Sequence, residues 1–489
     1  MPGWSCAKAP CYVPLLVAGR RFMWRTGGSN ICIRNSDIEI HTSHRIIRMV
    51  SNDAPMTLVT SDAGRGLAWA LVGRLFTLIV VLALMSVLFD CSRAPPDPSS
   101  KDLFASRAMT QRQGAVTVSV AVLSADEGQR YFGAGLADQG IQAIWLSVEN
   151  SGDATLYYLP VTTDPSYFSP SEAAQLLHEW WSGKANAATD SILAQDAMPD
   201  VIPPHQSAAG FVLTHREGGL KFVNAGFVGG GQQFDFRFVL PLGGRAYAVQ
   251  KVDFNGLYSP GTIEALDLAE LRARLEQLPC CTANAAGKAL GDPLNLVIVG
   301  SGAEAIFPFV MRGWRLDEPL DIHSMYRSMR AFLFGTEYLT APVSPLYVFG
   351  RTQDVSLQKA RDKISLRNHL RLWKAPFTID QQQVWVGQIS RDIGIKLTTQ
   401  SWYLTTHRIS PEVDQDRYYL LQDLVMTGEV SRFGFVRGVG VSITANPRTN
   451  LTGDPYLTDG LRLVVFLGAQ RRPLNEIEFL EWERPERGP

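Results

Sequence analysis

The sequence predicts a protein of two parts, a β-rich, sandwich-like domain followed by an α/β domain. Between residues 113 and 255, short runs of β-branched and aromatic residues alternate with Gly, Pro and Asn turns. After residue 280, apolar strands alternate with amphipathic helical patterns, which is typical of α/β domains and compatible with an α+β arrangement. The chain has 489 residues, of which 46% are hydrophobic and 19% charged, enough for two such cores.

The beginning of the chain is organised around an apolar run, Leu75–Phe89. Arginines precede this run, which predicts a cytoplasmic N-terminus and a body on the other side of the membrane. The run is shorter than the about 20 residues of a membrane-spanning helix and fits a signal segment better. Because Cys91 follows directly, three outcomes stay open: a lipid anchor on Cys91, an uncleaved membrane anchor and simple secretion. In each of them the body faces the periplasm.

These patterns divide the chain into six segments. They are an extension that is disordered or precedes the true start at Met56 (1–55), a signal or anchor segment (56–91), a Pro- and Ser-rich tether (92–112), a β-rich domain (113–255), a linker with an amphipathic helix (256–279) and the C-terminal domain (280–489). The linker helix has a clear start, because Asp267 and Glu270 have the spacing of a capping box and leucines follow at helical spacing.

The β-rich domain is predicted from its strands. AVTVSVAVLS and IQAIWLSVEN have period-2 character, and LYYLPVTTD, AGFVLTH, LKFVNAGFV and FDFRFVLP repeat it. One helix is predicted here, SEAAQLLHEWW, which begins after Pro170 with a serine cap. We interpret the isolated histidines His178, His205 and His215 as surface or packing residues.

A basic stretch, Lys359–Lys374, stands out in a chain whose formal net charge is only −1. Leu357, Ala360 and Ile364 have helical spacing, so the first part of the stretch is predicted to be a helix capped by Asp354. A near-neutral chain lacks the basic excess of an electrostatic nucleic-acid binder. Any recognition of anions must therefore be local.

The second part, RNHLRLW, has strand periodicity and places Arg367, His369, Arg371 and Trp373 on one face. Two interpretations stay open. The face is either a surface whose arginines pair with nearby acids, or an anion site in which guanidinium groups bind phosphate or carboxylate and the indole stacks. Arg351, just before the basic stretch, completes the candidate ligand-binding residues.

Two further strands, VWVGQIS and SWYLTTHRIS, lead to a helix predicted over Pro411–Thr427. His369, Asp392 and His407 are the catalytic candidates, because a histidine and a carboxylate can serve in general acid/base catalysis. Their spacing matches no metal-binding pattern, so neither a metal nor another cofactor is predicted.

Cys280 and Cys281 are adjacent cysteines in the body. In an oxidising compartment thiols tend to pair, so the two are candidate redox residues. Three states stay open: reduced thiols packed behind the linker helix, a vicinal disulfide, and bridges to other chains.

The motifs FGRTQD, RNHLRLW, VWVG, SRDIGI, THRISPEVD and DPYLTDG, with LPCC and GDPLNLVIVG, resemble the LssY-type C-terminal domain of bacterial envelope proteins. The similar region covers about Leu278–Leu467. In many such proteins the domain follows a membrane phosphatase domain, whose PSGH-like and SRxxxxxH motifs are missing from this sequence. The resemblance therefore implies an envelope location and not a phosphatase activity.

Three functions are compatible with these observations. The first is a membrane-anchored, periplasm-facing envelope protein whose LssY-like domain binds an anionic ligand, such as a lipid phosphate or a polysaccharide. The second is a hydrolase that uses His369, His407 and an acidic residue. The third is a structural or assembly partner of other envelope proteins, without catalysis. Whether the protein is an enzyme is left open by the motifs.

Overall fold

A computed structural model describes residues 95–179, 182–243, 247–259, 261–317, 343–360, 367–397, 405–468 and 470–485, with backbone alone for the strands between Ser5 and Met49 and for 395–397 and 405–407. Within these residues no helix is long and apolar enough to cross a membrane. The apolar run Leu75–Phe89 and Cys91 lie outside them.

The chain divides into two compact units. The first comprises Met1–Ser100, Gly128–Gly135 and Ala174–Gln195. Its short N-terminal strands are β1 (Ser5–Lys8), β2 (Val13–Val17), β3 (Arg20–Trp24), β4 (Asn30–Arg34), β5 (Asp37–His41) and β6 (Ile46–Met49). Strands β1, β4, β5 and β6 form an antiparallel sheet, and β2 pairs with β3.

The second unit begins with a β-sandwich. Its strands are β7 (Met109–Gln113), β8 (Val116–Val122), β9 (Ile141–Asn150), β10 (Leu156–Leu159), β11 (Val201–Ile202), β12 (Gln206–His215), β13 (Leu220–Gly229) and β14 (Gln232–Pro241). They form two antiparallel sheets, ordered β11-β10-β13-β14 and β12-β9-β8-β7. One apolar cluster, with Val118 and Ile144 from one sheet and Phe227 and Phe236 from the other, fills the space between them. Burial alternates along parts of β8 and β14, so one side chain in two from these strands enters the cluster.

Four helices lie in this first half of the described chain: α1 (Asp102–Ala105), α2 (Ala125–Phe132), α3 (Pro170–Leu177) and α4 (Gly183–Gln195). Only α3 is predicted by the sequence. Helix α4 is missed because its sequence, GKANAATDSILAQ, is rich in small and polar residues and has no continuous apolar stripe.

The C-terminal part contains three helices, α5 (Leu268–Glu276), α6 (Phe307–Met311) and α7 (Val413–Val425), among the described residues. Its strands are β15 (Glu264–Leu266), β16 (Cys281–Ala283), β17 (Leu290–Pro293), β18 (Leu296–Val299), β19 (Arg315–Leu316), β20 (Tyr347–Val348), β21 (Arg351–Thr352), β22 (Val355–Ala360), β23 (Arg367–Ile379), β24 (Gln382–Leu397), β25 (Thr405–Ile409), β26 (Val430–Arg437), β27 (Arg448–Thr449), β28 (Pro455–Tyr456), β29 (Leu461–Leu467) and β30 (Glu478–Leu480).

Ten of these strands form one mixed sheet, ordered β19-β22-β23-β24-β18-β29-β26-β30, with β15 added to β23 and β25 added to β24. A smaller sheet has the order β17-β16-β20-β21. The prediction of an α/β domain is wrong, because the protein is mostly β. An α/β fold requires helical crossovers between parallel strands, whereas β22, β23 and β24 are consecutive antiparallel strands. The predicted helix across Leu357 and Ala360 is strand β22 instead.

The centre of the large sheet is a long hairpin of β23 and β24. Asp380 and Gln381 form its two-residue turn, with φ angles of 49° and 62°, as a type I′ turn requires. Apolar clusters cover both faces of the sheet. Leu370 and Ile389 pack towards α7, while Trp373 and Val386 pack in the cluster that contains the buried leucines of α5. Both faces of β23 are therefore buried.

Candidate functional site

The basic residues of β23 lie on one face of the strand, as the sequence predicts, but this face is buried. Arg367, His369 and Arg371 are only 3%, 6% and 8% exposed. The interpretation of this face as a set of exposed ion pairs is therefore wrong. Charged side chains are almost never buried unless they are paired, so the partners of these three residues determine what the site can do.

The first partner is Asp392, at the outer part of the neighbouring strand β24. His369 Nε2 lies 2.6 Å from Asp392 Oδ2. Arg367 Nε lies 3.8 Å from the same oxygen. The side chain of Asp392 is 2% exposed, so one buried carboxylate contacts both a histidine and an arginine. A histidine held by a carboxylate in this way has a fixed ring orientation.

Gln358 on β22 connects Arg367 to a second carboxylate, Asp317. Arg367 Nη1 donates to Gln358 Oε1, and Gln358 Nε2 donates to Asp317 Oδ1 at 2.6 Å. Burial raises the pKa of Asp317 to about 7, although the nearby arginines Arg367 and Arg371 act in the opposite direction. Asp317 therefore changes its charge close to neutral pH.

Arg371 is held by two contacts. Its Nη1 donates to Gln388 Oε1 at 2.9 Å across the β23–β24 pair, and its Nη2 lies 3.4 Å from the carbonyl oxygen of Ser344. Two buried N–H donors remain without an acceptor among the described residues, Arg371 Nε and Gln388 Nε2. A buried donor without a partner costs about 1–3 kcal/mol. The two cross-strand neighbours therefore leave unused hydrogen-bonding capacity at one place.

Three carboxylates interact electrostatically with Arg371: Asp292, Asp317 and Asp392. Burial lowers the pKa of Arg371 and raises that of Asp292, which accepts a hydrogen bond from Asn450 Nδ2 at 2.9 Å. Both shifts have the same cause, because a low-dielectric interior disfavours the charged form of an acid and of a base. The guanidinium and carboxylate charges compensate one another only in part.

His369 is neutral at pH 7. Burial lowers its pKa well below the ordinary value, and the positive charges of Arg367 and Arg371 lower it further. Asp392 alone would favour the imidazolium, but these effects outweigh it. A neutral imidazole that faces a carboxylate through Nε2 donates that proton to it.

The structure separates the remaining predicted residues from this cluster. Trp373 is fully buried in the apolar cluster with Val386, where it cannot stack on a ligand. Arg351 forms a bidentate pair with Asp354 at 2.9 and 2.8 Å and also donates to Tyr258 Oη at 2.9 Å. The backbone of His407 pairs with Ile395 on β24, but its side chain lies outside the described residues.

Cys280 and Cys281 form a vicinal disulfide at the start of the small sheet. Cys281 Sγ also lies 3.6 Å from Tyr456 Oη, so the pair contacts strand β28. Among the described residues, no group of three or more His, Cys, Asp or Glu side chains could hold a metal ion.

Residues 273–461 match the protein family described as LssY C-terminus. The chain carries an LssY-like C-terminal domain. No curated protein matches the chain. All the cluster residues described above lie within the LssY-like domain, from Asp292 to Asn450.

Several cluster residues of the LssY-like domain are missed by sequence reasoning. Asp292 and Asn450 lie in or beside motifs that carry the resemblance, GDPLNLVIVG and DPYLTDG, and that position is the signal that could have found them. Gln388 directly follows VWVG and has the same signal, whereas Asp317 and Gln358 have none, since neither lies beside such a motif. Only the pairing of β19 with β22 and of β22 with β23 brings these two residues to the cluster.

Proposed function

We propose that the protein is a periplasm-facing envelope protein whose LssY-like domain binds an anionic oxygen group, of phosphate or carboxylate type, beside Arg371 and Gln388. One observation carries this proposal: Arg371 Nε and Gln388 Nε2 are buried on neighbouring strands, and neither has an acceptor among the described residues. A single ligand group with several oxygens can accept from both.

The surrounding charges support an anionic ligand. Burial raises the pKa of Asp317 to about 7 and also raises the pKa of Asp292, which favours the uncharged form of both carboxyls, whereas the guanidinium groups keep their charge. Contacts to Gln388 and Ser344 hold Arg371 before any ligand arrives. An arginine that is already ordered loses less conformational entropy on binding.

The envelope location rests on two observations. Arginines precede the apolar run Leu75–Phe89, which favours export of everything that follows. The bond between Cys280 and Cys281 is of a kind that persists in oxidising compartments. Binding of an envelope lipid phosphate or of an anionic polysaccharide fits that location.

Calorimetric titration with inorganic phosphate and with dihexanoyl phosphatidic acid tests the proposal. Gln388→Met keeps the side-chain volume but removes one donor and the oxygen that accepts from Arg371 Nη1, so we expect affinity to fall at least tenfold, the equivalent of one hydrogen bond or more. Arg437→Ala, which removes an exposed arginine, is the control and should leave affinity unchanged.

The two probes distinguish the source of the phosphate. Binding of phosphatidic acid alone indicates a lipid headgroup, and binding of both indicates a site for the phosphate group itself. If the wild-type protein binds neither probe, or if Gln388→Met has no larger effect than Arg437→Ala, the proposal is wrong and a structural or assembly role is favoured. Arg371→Ala is unsuitable as the test variant, because removing one charge of a buried set typically costs about 3–5 kcal/mol of stability.

A second function, hydrolysis, is favoured by the 2.6 Å contact between His369 and Asp392. A neutral, oriented imidazole is the form that acts as a general base towards water. We expect a hydrolase to cleave p-nitrophenyl phosphate or p-nitrophenyl acetate and to lose turnover, but not phosphate binding, in His369→Gln. Absence of turnover by the wild-type protein on both substrates would count against this function.

A further inference from the structure

A cavity of about 330 Å³ lies in the second unit, outside the charged cluster of the LssY-like domain. Three segments form it: the 3-10 turn Pro160–Thr162 with the residues that follow, the end of β12 with the connection to β13 and the first half of β13, and helix α6 with the residues after it. Its volume is within the range of sites that hold small organic molecules.

One side of the cavity is apolar. Phe222 and Phe307 meet edge to face there, with ring centroids 5.3 Å apart. Val161, Val310 and Met311 extend this wall. Aromatic and aliphatic side chains around a concave space favour a ligand with an apolar body.

Lys221 is the most buried cation of the lining, at 2% exposure. Its Nζ donates to the carbonyl oxygen of His215 at 2.8 Å and forms an ion pair with Glu217, whose nearest oxygen lies at 3.6 Å. An ammonium group has three donors, so Lys221 keeps capacity for a further acceptor. Burial lowers the pKa of Lys221.

The carboxylates of the lining already have donors. Asp164 accepts from the backbone N–H groups of His215 and Ser166 and contacts His215 Nδ1, at 2.8, 2.9 and 2.9 Å. Glu217 accepts from Arg315 Nη1 at 2.6 Å. Both carboxylates are therefore already engaged, whereas Lys221 keeps capacity for a further acceptor.

Asn224 is a second, independent observation that supports a ligand in the cavity. It is 3% exposed and lines the cavity. Its Nδ2 donates to Asp235 Oδ1 at 3.0 Å, which fixes the amide orientation, because a carboxylate only accepts. Asn224 Oδ1 is then left buried and without a donor among the described residues. A donor group on a molecule in the cavity would satisfy that oxygen.

We propose that this cavity is a second ligand site, for a small carboxylate with an apolar chain, whose head contacts Lys221 and whose chain lies against Phe222 and Phe307. This site is independent of the anion site proposed for the LssY-like domain. A hydroxyl on the chain would be the donor to Asn224 Oδ1. The carboxylate is placed at Lys221 because their charges are opposite, and the apolar chain is placed at the two phenylalanines because both are apolar.

The test is calorimetric titration of the full-length protein with octanoate, 1-octanol and octylamine. These ligands have the same alkyl chain and differ only in the carboxylate, hydroxyl or ammonium group at its end. We expect octanoate to bind at least tenfold more tightly than octylamine, and Lys221→Met to lower octanoate affinity at least tenfold while leaving 1-octanol unchanged. Met311→Trp fills the cavity and should abolish octanoate binding. The control is Met426→Trp, because Met426 follows the last residue of α7 and is 67% exposed.

Two results would overturn this site. One is octylamine binding as tightly as octanoate, and the other is octanoate binding that survives in Met311→Trp. The second measurement decides the matter even where Lys221→Met does not fold. Octanoate is also a carboxylate ligand for the anion site beside Gln388. Octanoate affinity that falls in Gln388→Met and not in Lys221→Met therefore belongs to that site and counts against this cavity, whereas affinity that falls in Lys221→Met and not in Gln388→Met supports it.

Discussion

A buried histidine makes the stability of the LssY-like domain sensitive to acid. His369 has a depressed pKa in the folded protein because it is buried beside Arg367 and Arg371. In the unfolded chain its pKa is about 6.5. As the pH falls below about 6.5, the unfolded chain binds a proton that the folded protein does not bind. The free energy of unfolding must therefore decrease with acidification.

The measurement is chemical denaturation at pH 7.5, 6.5 and 5.5, for the wild-type protein and for His369→Asn. Below pH 6.5 we expect the wild type to lose up to about 1.4 kcal/mol more per pH unit than the variant. Asp317 has a raised pKa, so its contribution has the opposite sign and is lost as the pH rises through about 7. Both proteins contain Asp317, so it cancels in the difference. Parallel pH profiles would show that His369 titrates normally.

For individual residues, the sequence correctly predicts which side chains share a face of β23, but it does not predict that these side chains are buried. The alternation along β23 correctly places Arg367, His369 and Arg371 together. The sequence predicts that these side chains are exposed, because arginine is seldom buried. Burial depends on Asp292 and Asp317, which come from distant segments, and on the second covered face of the sheet. No local pattern contains that information.

Among the elements, helix α5 has the most specific start. Asp267 Oδ1 accepts from the backbone N–H of Glu270 at 2.8 Å, and Glu270 Oε2 accepts from that of Asp267 at 2.9 Å. This reciprocal pair confirms the predicted capping box. Leu271 and Leu275 then bury the helix against the large sheet.

Loss of the cap should therefore loosen the contact between α5 and the sheet. We expect Asp267→Ala to lower the free energy of unfolding by about 1 kcal/mol, the usual cost of removing an N-cap. Urea denaturation measures it. Asp200→Ala, which removes an exposed aspartate away from any helix start, should change stability by less than about 0.5 kcal/mol.

Strand β22 shows why a helix and a strand can be confused. Leu357, Ala360 and Ile364 have helical spacing, yet Val355 and Leu357 also have the spacing of one strand face. In the structure these two pair with Leu372 and Leu370 of β23, which buries all four. Pairing across strands, absent from the sequence pattern, decides between the two.

For the whole molecule, the orientation in the envelope remains a prediction. We expect protease added to intact spheroplasts to digest the body, because arginines precede the apolar run and place the body outside the cytoplasmic membrane. A fully protected body would contradict this. Cys91→Ala then distinguishes the anchors: lost membrane retention indicates lipidation, and unchanged retention indicates an uncleaved helix.

The position of β18 in the large sheet has a consequence for synthesis. It lies between β24 and β29, and both partners follow it in the chain. A ribosome therefore releases the apolar segment Leu296–Val299 long before either neighbour exists. Such non-local pairing makes folding slow, so the large sheet stays open until its last strands emerge. Export of the body, which the arginines before the apolar run predict, would benefit from this delay, because a sheet that has not closed can pass through a translocation channel.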